Sequence, residues 1–499
     1  MKQFLVLVLS VTLTAVSWAQ HTPEDLKAFM NSAFERFDLP AMSVAVVKDG
    51  EVVLTENFGK RSQRKPEAPD GNTLYGIASL SKAFTTASIG MLVDEGKLNW
   101  DDKVVDHLPW FKMHDDNVTQ SITVQDLLCH RSGLITFDGD LLWYGTNYSR
   151  EDVVKRIQHR EPSYGFRETF GYQNIMFMTA GEVIEAASGM SWDDFVRTRI
   201  IEPLDMKRTT SSFQSFSTDF NAAKPHLKGK EIFMLSYDNS GATAALNSST
   251  NDMSKWIQFW LNNGIVGEDT LLSAASIRKI WSLHTPLPTG NFDQTNGTHF
   301  KGYGLGWFLM DYNGKKVVHH GGGLPGYISK LALVPEENLG VIVLTNDMSS
   351  VPSMMMYAVT DWAMGKDYTK WTDTFYEFKT KGDEREREAK AKREETKVAD
   401  PKMLPVEDYL GTYRDEMYGD VEITMGEKGL IFSMLPTKEL FTGKMEPWSD
   451  HAFKFEHNDP FLPFGIVSFN VEQDQIQGFT LDMPNYDFHF DKLNFVKVK

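Results

Sequence analysis

Cysteine is nearly missing from this chain. Cys129 is the one cysteine among 499 residues, so an intramolecular disulfide is impossible and the fold must hold by packing. Its most economical role is a small buried apolar side chain. Positive charge is also scarce: 51 Lys and Arg against 68 Asp and Glu leave a net charge of -17, which repels nucleic-acid phosphates and anionic membrane surfaces. No histidines stand at zinc-motif spacing, so neither a metal nor a cofactor is expected. Long apolar runs are absent beyond the first residues, which argues against stable membrane insertion. The exception is Phe4–Val16, which follows Lys2 and precedes Ser17-Trp18-Ala19. It is too short to span a bilayer and reads as a signal peptide over residues 1–19, with a retained anchor as the alternative. No cysteine follows it, which excludes a lipoprotein. The expected location is secreted or periplasmic.

What is present is globular: 41% hydrophobic and 24% charged residues, in a chain long enough for two or three domains. Thr22-Pro23-Glu24-Asp25 has the cap, proline and acids of a helix start. Ser43–Val47 and Val52–Phe58 read as a hairpin turned through Asp49-Gly50. Gly302–Met310, Val317–His320, Tyr327–Val334 and Val341–Thr345 read as strands returning to the same sheet. With helices between, this predicts an α/β (α+β) domain whose antiparallel sheet is closed by its two ends, plus an all-helical region, over residues 22–365. Residues 366–403 contain a charge-rich stretch, Lys379–Lys397, expected to be a solvated linker helix. Residues 404–499 show short strands at Tyr409–Tyr413, Val421–Met425, Leu430–Met434, Phe453–Phe455, Ile466–Val471, Gln477–Leu481 and Asp487–Phe495, predicting a small all-β barrel-like domain. Its many phenylalanines are expected to be core.

The chemistry-bearing element is Ser79-Leu80-Ser81-Lys82. Serine three residues before lysine puts hydroxyl and amine on one helical face. The helix that follows is apolar all round, so it is expected to be buried. Burial lowers the pKa of a lysine and lets it act as a base toward serine. Two further tetrads, Ser62-Gln63-Arg64-Lys65 and Ser276-Ile277-Arg278-Lys279, lack that setting and are read as structural. Tyr172-Gln173-Asn174 sits where a loop enters a helix. It offers a phenol to relay a proton and an amide to orient substrate and lysine; a second match at Tyr237-Asp238-Asn239 is less favourably placed. His319-His320-Gly321-Gly322-Gly323 is a strand running into glycines that permit close backbone approach. Loop Phe137–Ser149 carries no readable specificity signal.

Together these elements resemble the serine β-lactamase and penicillin-binding-protein-like superfamily, in its class C-like branch. Ile122-Thr123-Val124-Gln125-Asp126-Leu127-Leu128-Cys129-His130-Arg131-Ser132-Gly133-Leu134 is similar to the family's ITVRDLLTHTSGL segment. Pro203-Leu204-Asp205-Met206 is similar to its PLGM segment, and Tyr303-Gly304-Leu305-Gly306-Trp307 to its YGLGW strand. The tail resembles a lipocalin-like β-domain. The resemblance implies Ser79 as nucleophile, Lys82 as base and Tyr172 in proton transfer. It assigns substrate binding to Asn174, His320, Gly322 and Gly323, with the oxyanion held by the N–H groups of Ser79 and Gly323. The implied activity is acyl transfer on small esters or short peptide amides, including D-amino-acid peptides. A β-lactamase or DD-peptidase, and a catalytically silent binding protein, are the alternatives; a homo-oligomer is compatible with either. One departure matters. His320-Gly321-Gly322 stands where β-lactamases carry Lys-Thr-Gly, and a neutral histidine is a weak partner for a substrate carboxylate.

Overall fold

Along the strand Ala41–Lys48, Val44 and Val46 face one apolar cluster while Ala45 and Val47 face another. The same alternation recurs in Leu339–Thr345, where Val341 and Val343 oppose Ile342 and Leu344. A period of two with both phases apolar means a sheet covered on both faces. The computed structural model, which describes residues 22–498, has this arrangement. The signal-peptide expectation lies outside the described residues.

The sheet has eight antiparallel strands. From one edge they run Glu51–Gly59, Ala41–Lys48, Leu339–Thr345, Tyr327–Val334, Lys315–Leu324, Phe308–Tyr312, Lys301–Tyr303 and Thr285–Leu287. N- and C-terminal segments of the domain therefore meet between the second and third strands. Helix Pro23–Phe37, capped by Thr22 and Asp25, covers one face with helix Val351–Ala363. Helices Ser81–Asp94 and Thr250–Leu261 cover the other, with Phe84 stacked on Trp256 at 4.0 Å. Ser81–Asp94 is buried on every side. Thr85 and Ser88 are satisfied: the Thr85 hydroxyl donates to Ala242 O and accepts from the Trp192 indole, and Ser88 donates to Phe84 O.

The span expected as one strand, Gly302–Met310, is two. Gly304 N–H donates to Trp307 O, and Gly306 adopts φ +75 to turn the chain. A Cβ at Gly306 would lie 2.4 Å from Thr86 Oγ1. The Tyr303–Trp307 segment is thus a hairpin turn packed on the buried helix, because its two glycines permit a reversal that alternating apolar residues conceal.

Helix Lys370–Glu394 leaves the domain with Trp371 and Phe375 buried in the second cluster, after which its residues are mostly exposed. It leads to a closed eight-stranded barrel in which Tyr413 on the first strand pairs with Lys497 on the last. Tyr409, Tyr413, Phe432, Phe453, Phe469 and Phe479 fill its interior edge to face. Two expectations in this domain are corrected. Tyr409 closes a 3-10 turn rather than opening a strand, and Asp487–Phe495 is largely loop with the last strand only at Phe495–Lys497. The strand Thr442–Ser449 was not expected. Pro447 and the register shift beside it break the usual signature.

Candidate active site

The chain runs from the short strand Tyr75–Gly76 through a turn at Ile77–Ala78 into a 3-10 turn, Ala78–Leu80, and then the buried helix. Ala78 has φ +51, a left-handed conformation that costs a non-glycine residue and is held here by its surroundings. Ile77 N–H donates to Leu246 O, and Ile77 O accepts from Ser329 Oγ at 2.9 Å. Ser79 is thereby presented at the start of the helix.

Lys82 is fully buried. Its Nζ lies 3.0 Å from Ser79 Oγ, 2.6 Å from Asn174 Oδ1 and 3.1 Å from Thr243 O. Burial holds its pKa well below the ordinary lysine value; the Asp140 carboxylate opposes that shift. Two of the three neighbours can only accept. A neutral amine donates to those two and has its lone pair left for the Ser79 hydroxyl, the arrangement a general base requires. The amine also sits over the Tyr172 ring, 4.9 Å from its centroid.

Tyr172 precedes helix Asn174–Ser188 and is tied down by Thr136 Oγ1 and Phe137 N–H. Burial raises the pKa of its phenol strongly, and a hydrogen-bonding approach to Ser79 offsets this only in part. Tyr172 therefore stays protonated and is a donor, not a base. Behind it His130 accepts from Gln173 N–H at Nδ1 and packs between Tyr172 and Tyr303.

The Lys315–Leu324 strand completes the cleft. Its neighbour Phe308–Tyr312 pairs with it only as far as His319, so His320–Leu324 is paired on the Tyr327–Val334 side alone. Gly322 lies against the Ser79 turn: a Cβ there would be 2.2 Å from Ile77 O. Gly323 is exposed along the same edge. His320 is buried, with Nδ1 2.6 Å from Gly321 O and Nε2 3.0 Å from the Tyr303 hydroxyl. A carbonyl only accepts, so Nδ1 carries the proton and Nε2 accepts from tyrosine. Burial, then Lys82, lowers the His320 pKa to about 3, so the ring is neutral at physiological pH.

The structure thus gathers Ser79, Lys82, Tyr172, Asn174, His320 and Gly322 around one cleft. It keeps the other tetrads away from it: Ser62 bonds Glu231, and Ser276 bonds Asp94. In Tyr237-Asp238-Asn239 the asparagine donates to Trp143 O instead of reaching Lys82. Sequence reasoning missed Thr243 and Asp140. Thr243 Oγ1 donates to Asn174 Oδ1 at 2.8 Å, and Asp140 Oδ2 accepts from Asn174 Nδ2 at 2.5 Å. Both lie in 3-10 turns with no local signature.

The barrel reaches this site. Tyr144 donates to Asp459 at 2.7 Å, Tyr148 to Tyr418 O at 2.7 Å, and Arg156 to Met417 O at 3.0 Å. A crevice at the domain junction is lined by Gly76, Tyr144, Tyr237, Leu324, Asp459 and Phe461 among others.

Comparison with known proteins bears on the fold and the family. Residues 26–360 match the Beta-lactamase family model, and the chain belongs to that family of serine hydrolases. Residues 395–497 match a domain of unknown function, DUF3471. Unguisins hydrolase ungD' of Aspergillus campestris is 28% identical over 444 residues, 81% of this chain and 78% of the relative. Protein flp of Staphylococcus aureus strain MW2 is 28% identical over 366 residues, 71% of this chain and 70% of the relative. The octameric penicillin-binding protein homologue from Pyrococcus abyssi shares the fold, with TM-score 0.61 and 23% identity over 95% of this chain and 99% of that one.

Proposed function

We propose that this protein is an exported serine hydrolase that forms an acyl-enzyme on Ser79 and acts on small esters or short peptide amides, D-amino-acid peptides included. The observation that carries the reading is the buried Lys82 amine, 3.0 Å from Ser79 Oγ with acceptors on its other sides. Lys82 takes the Ser79 proton as Oγ attacks the substrate carbonyl. The N–H groups of Ser79 and Gly323 hold the oxyanion. Collapse breaks the bond to the leaving group, which takes a proton relayed through Tyr172. Water then attacks the acyl-enzyme, giving up a proton to Lys82; the bond from Ser79 Oγ to the acyl carbon breaks, Oγ takes that proton back through Tyr172, and the acid is released. The neutral, doubly bonded His320 offers no cation to a substrate carboxylate, which weighs against efficient penicillin hydrolysis. Export rests on the Lys2 and Phe4–Val16 pattern. A homo-oligomer belongs to the same reading, supported by the octameric relative.

The test is kcat/KM for wild type and Ser79→Ala on a short-chain nitrophenyl ester, a chromogenic cephalosporin, and L- and D-aminoacyl nitroanilides. Ester or aminoacyl turnover is expected, falling by about 10³-fold or more in the variant. Turnover unchanged in Ser79→Ala, or wild type inert and unlabelled at Ser79 by a fluorophosphonate, would overturn the reading.

A further inference from the structure

The buried carboxylate of Asp140 has no part in the chemistry above, yet it stands directly behind it. Asp140 is 2% exposed and opens the short 3-10 turn Asp140–Leu142 in the loop the sequence left unread. Oδ2 accepts from Asn174 Nδ2. The Trp143 side chain approaches it as well, but neither Oδ1 nor the indole N–H completes a hydrogen bond of ordinary geometry. A buried carboxylate that is only half satisfied is costly to keep unless something else gains from it.

The gain is visible at Asn174. Its amide can be turned two ways. Nδ2 donates to Asp140, so the amide N–H₂ faces that carboxyl and Oδ1 faces the opposite side. On that side Oδ1 takes hydrogen bonds from both Lys82 Nζ and Thr243 Oγ1. Reversing the amide would set its N–H₂ against the amine and its oxygen against the carboxylate, losing all three bonds.

The two buried groups are also coupled: burial pushes the Asp140 carboxyl up and the Lys82 amine down, and each opposes the shift of the other. The titratable groups around the pair are Tyr172, His130 and His320 on the Lys82 side, and Asp487 on the Asp140 side. Burial keeps Tyr172 protonated and both histidines neutral. Asp487 raises Asp140 but is not among the charges acting on Lys82. Asp140 is the carboxylate that acts on that lysine.

We propose that Asp140 is a positioning residue: it fixes the Asn174 amide so that the Lys82 lone pair is directed at Ser79, and its carboxylate form favours the protonated amine against the burial that keeps Lys82 neutral. This rests on the hydrolase reading of the site and deepens it.

The sign is set by the charge. Removing it disfavours the protonated amine, so Lys82 becomes a base at lower pH. The experiment compares wild type, Asp140→Asn and Asp140→Leu in the full chain. One readout is the pH profile of kcat and KM. The other, which needs no turnover, is a ζ-15N-lysine NMR titration with the Lys82 signal assigned by Lys82→Met. In Asp140→Asn the expected results are an acid limb and a Lys82 titration both moved down by about one pH unit, with KM little changed. Asp140→Leu, which also loses the bond to Asn174, is expected to show the same shift and a fall in kcat of about 10²-fold. A Lys82 titration that does not move in either variant overturns the proposal. So does failure of both variants to fold, which would assign Asp140 to the scaffold. If the NMR titration shifts while wild type shows no Ser79-dependent turnover, the hydrolase reading fails and the link between Asp140 and Lys82 stands.

Discussion

His320 and Tyr172 illustrate how burial assigns roles to residues whose types leave them open. His320 has its pKa lowered to about 3 by burial and by Lys82, against about 6.5 for an exposed histidine. As pH falls below about 6.5 the unfolded chain takes up this proton first. The stability this neutral ring contributes is therefore complete above that pH and is lost on the way down to 3. His130 is shifted in the same direction. Acid unfolding followed by circular dichroism should begin below about pH 6.5, and His320→Gln should move its midpoint to lower pH. The acid limb of kcat/KM should not move in that variant, because a ring already neutral exerts no charge on Lys82; a moved limb would show a charged His320. Tyr172→Phe keeps the ring over Lys82 and removes only the proton relay. It is expected to lower kcat by about 10²-fold or more and to let the acyl-enzyme accumulate as a burst in stopped-flow assays. These two residues were legible as candidates from the Tyr-x-Asn and His-Gly-Gly strings. Their protonation was not, because it depends on what surrounds them in three dimensions.

At the level of elements, the glycine run of the edge strand allows a comparison between neighbours. A Cβ at Gly322 would lie 2.2 Å from Ile77 O and 2.4 Å from Ser329 Oγ, whereas one at Gly321 meets nothing closer than 3.6 Å. Gly322→Ala must push the turn that carries Ser79, at a cost of about 1–3 kcal/mol in stability and about 10²-fold in kcat/KM. Gly321→Ala should leave both nearly unchanged. Thermal unfolding and ester kinetics on the two variants check this, and equal effects would mean that Gly322 does not set the approach. The sheet and the buried helix were readable because their apolar residues recur with the period of each element. The Gly302–Met310 span was misread because a hairpin turn can hide inside an apolar run. The strand Thr442–Ser449 was missed because proline is a poor strand former whose presence only a bulge and its neighbours make tolerable.

Over the whole molecule, the loop from Phe137 to Ser149 joins the two domains. It carries Asp140 to Asn174 and Tyr144 to the barrel, where Tyr144 bonds Asp459 and packs on Phe488 at 4.2 Å. Nothing in its sequence announces this, since each half of the contact is supplied by residues more than three hundred positions away. Tyr144→Phe leaves a buried carboxylate short of one donor, an expected loss of about 1–3 kcal/mol. A fall in kcat without a matching rise in KM should accompany the lower unfolding temperature, and unchanged kcat would mean the barrel is seated independently of the site. The turn that holds Asp140 has a further consequence for how such proteins diversify. An ancestor that exchanged its barrel for another would also have replaced the surface against which its catalytic loop is cast. The two domains are separate as folds but share this loop, and grafting a foreign tail onto this chain would require recasting residues 137–149 along with it.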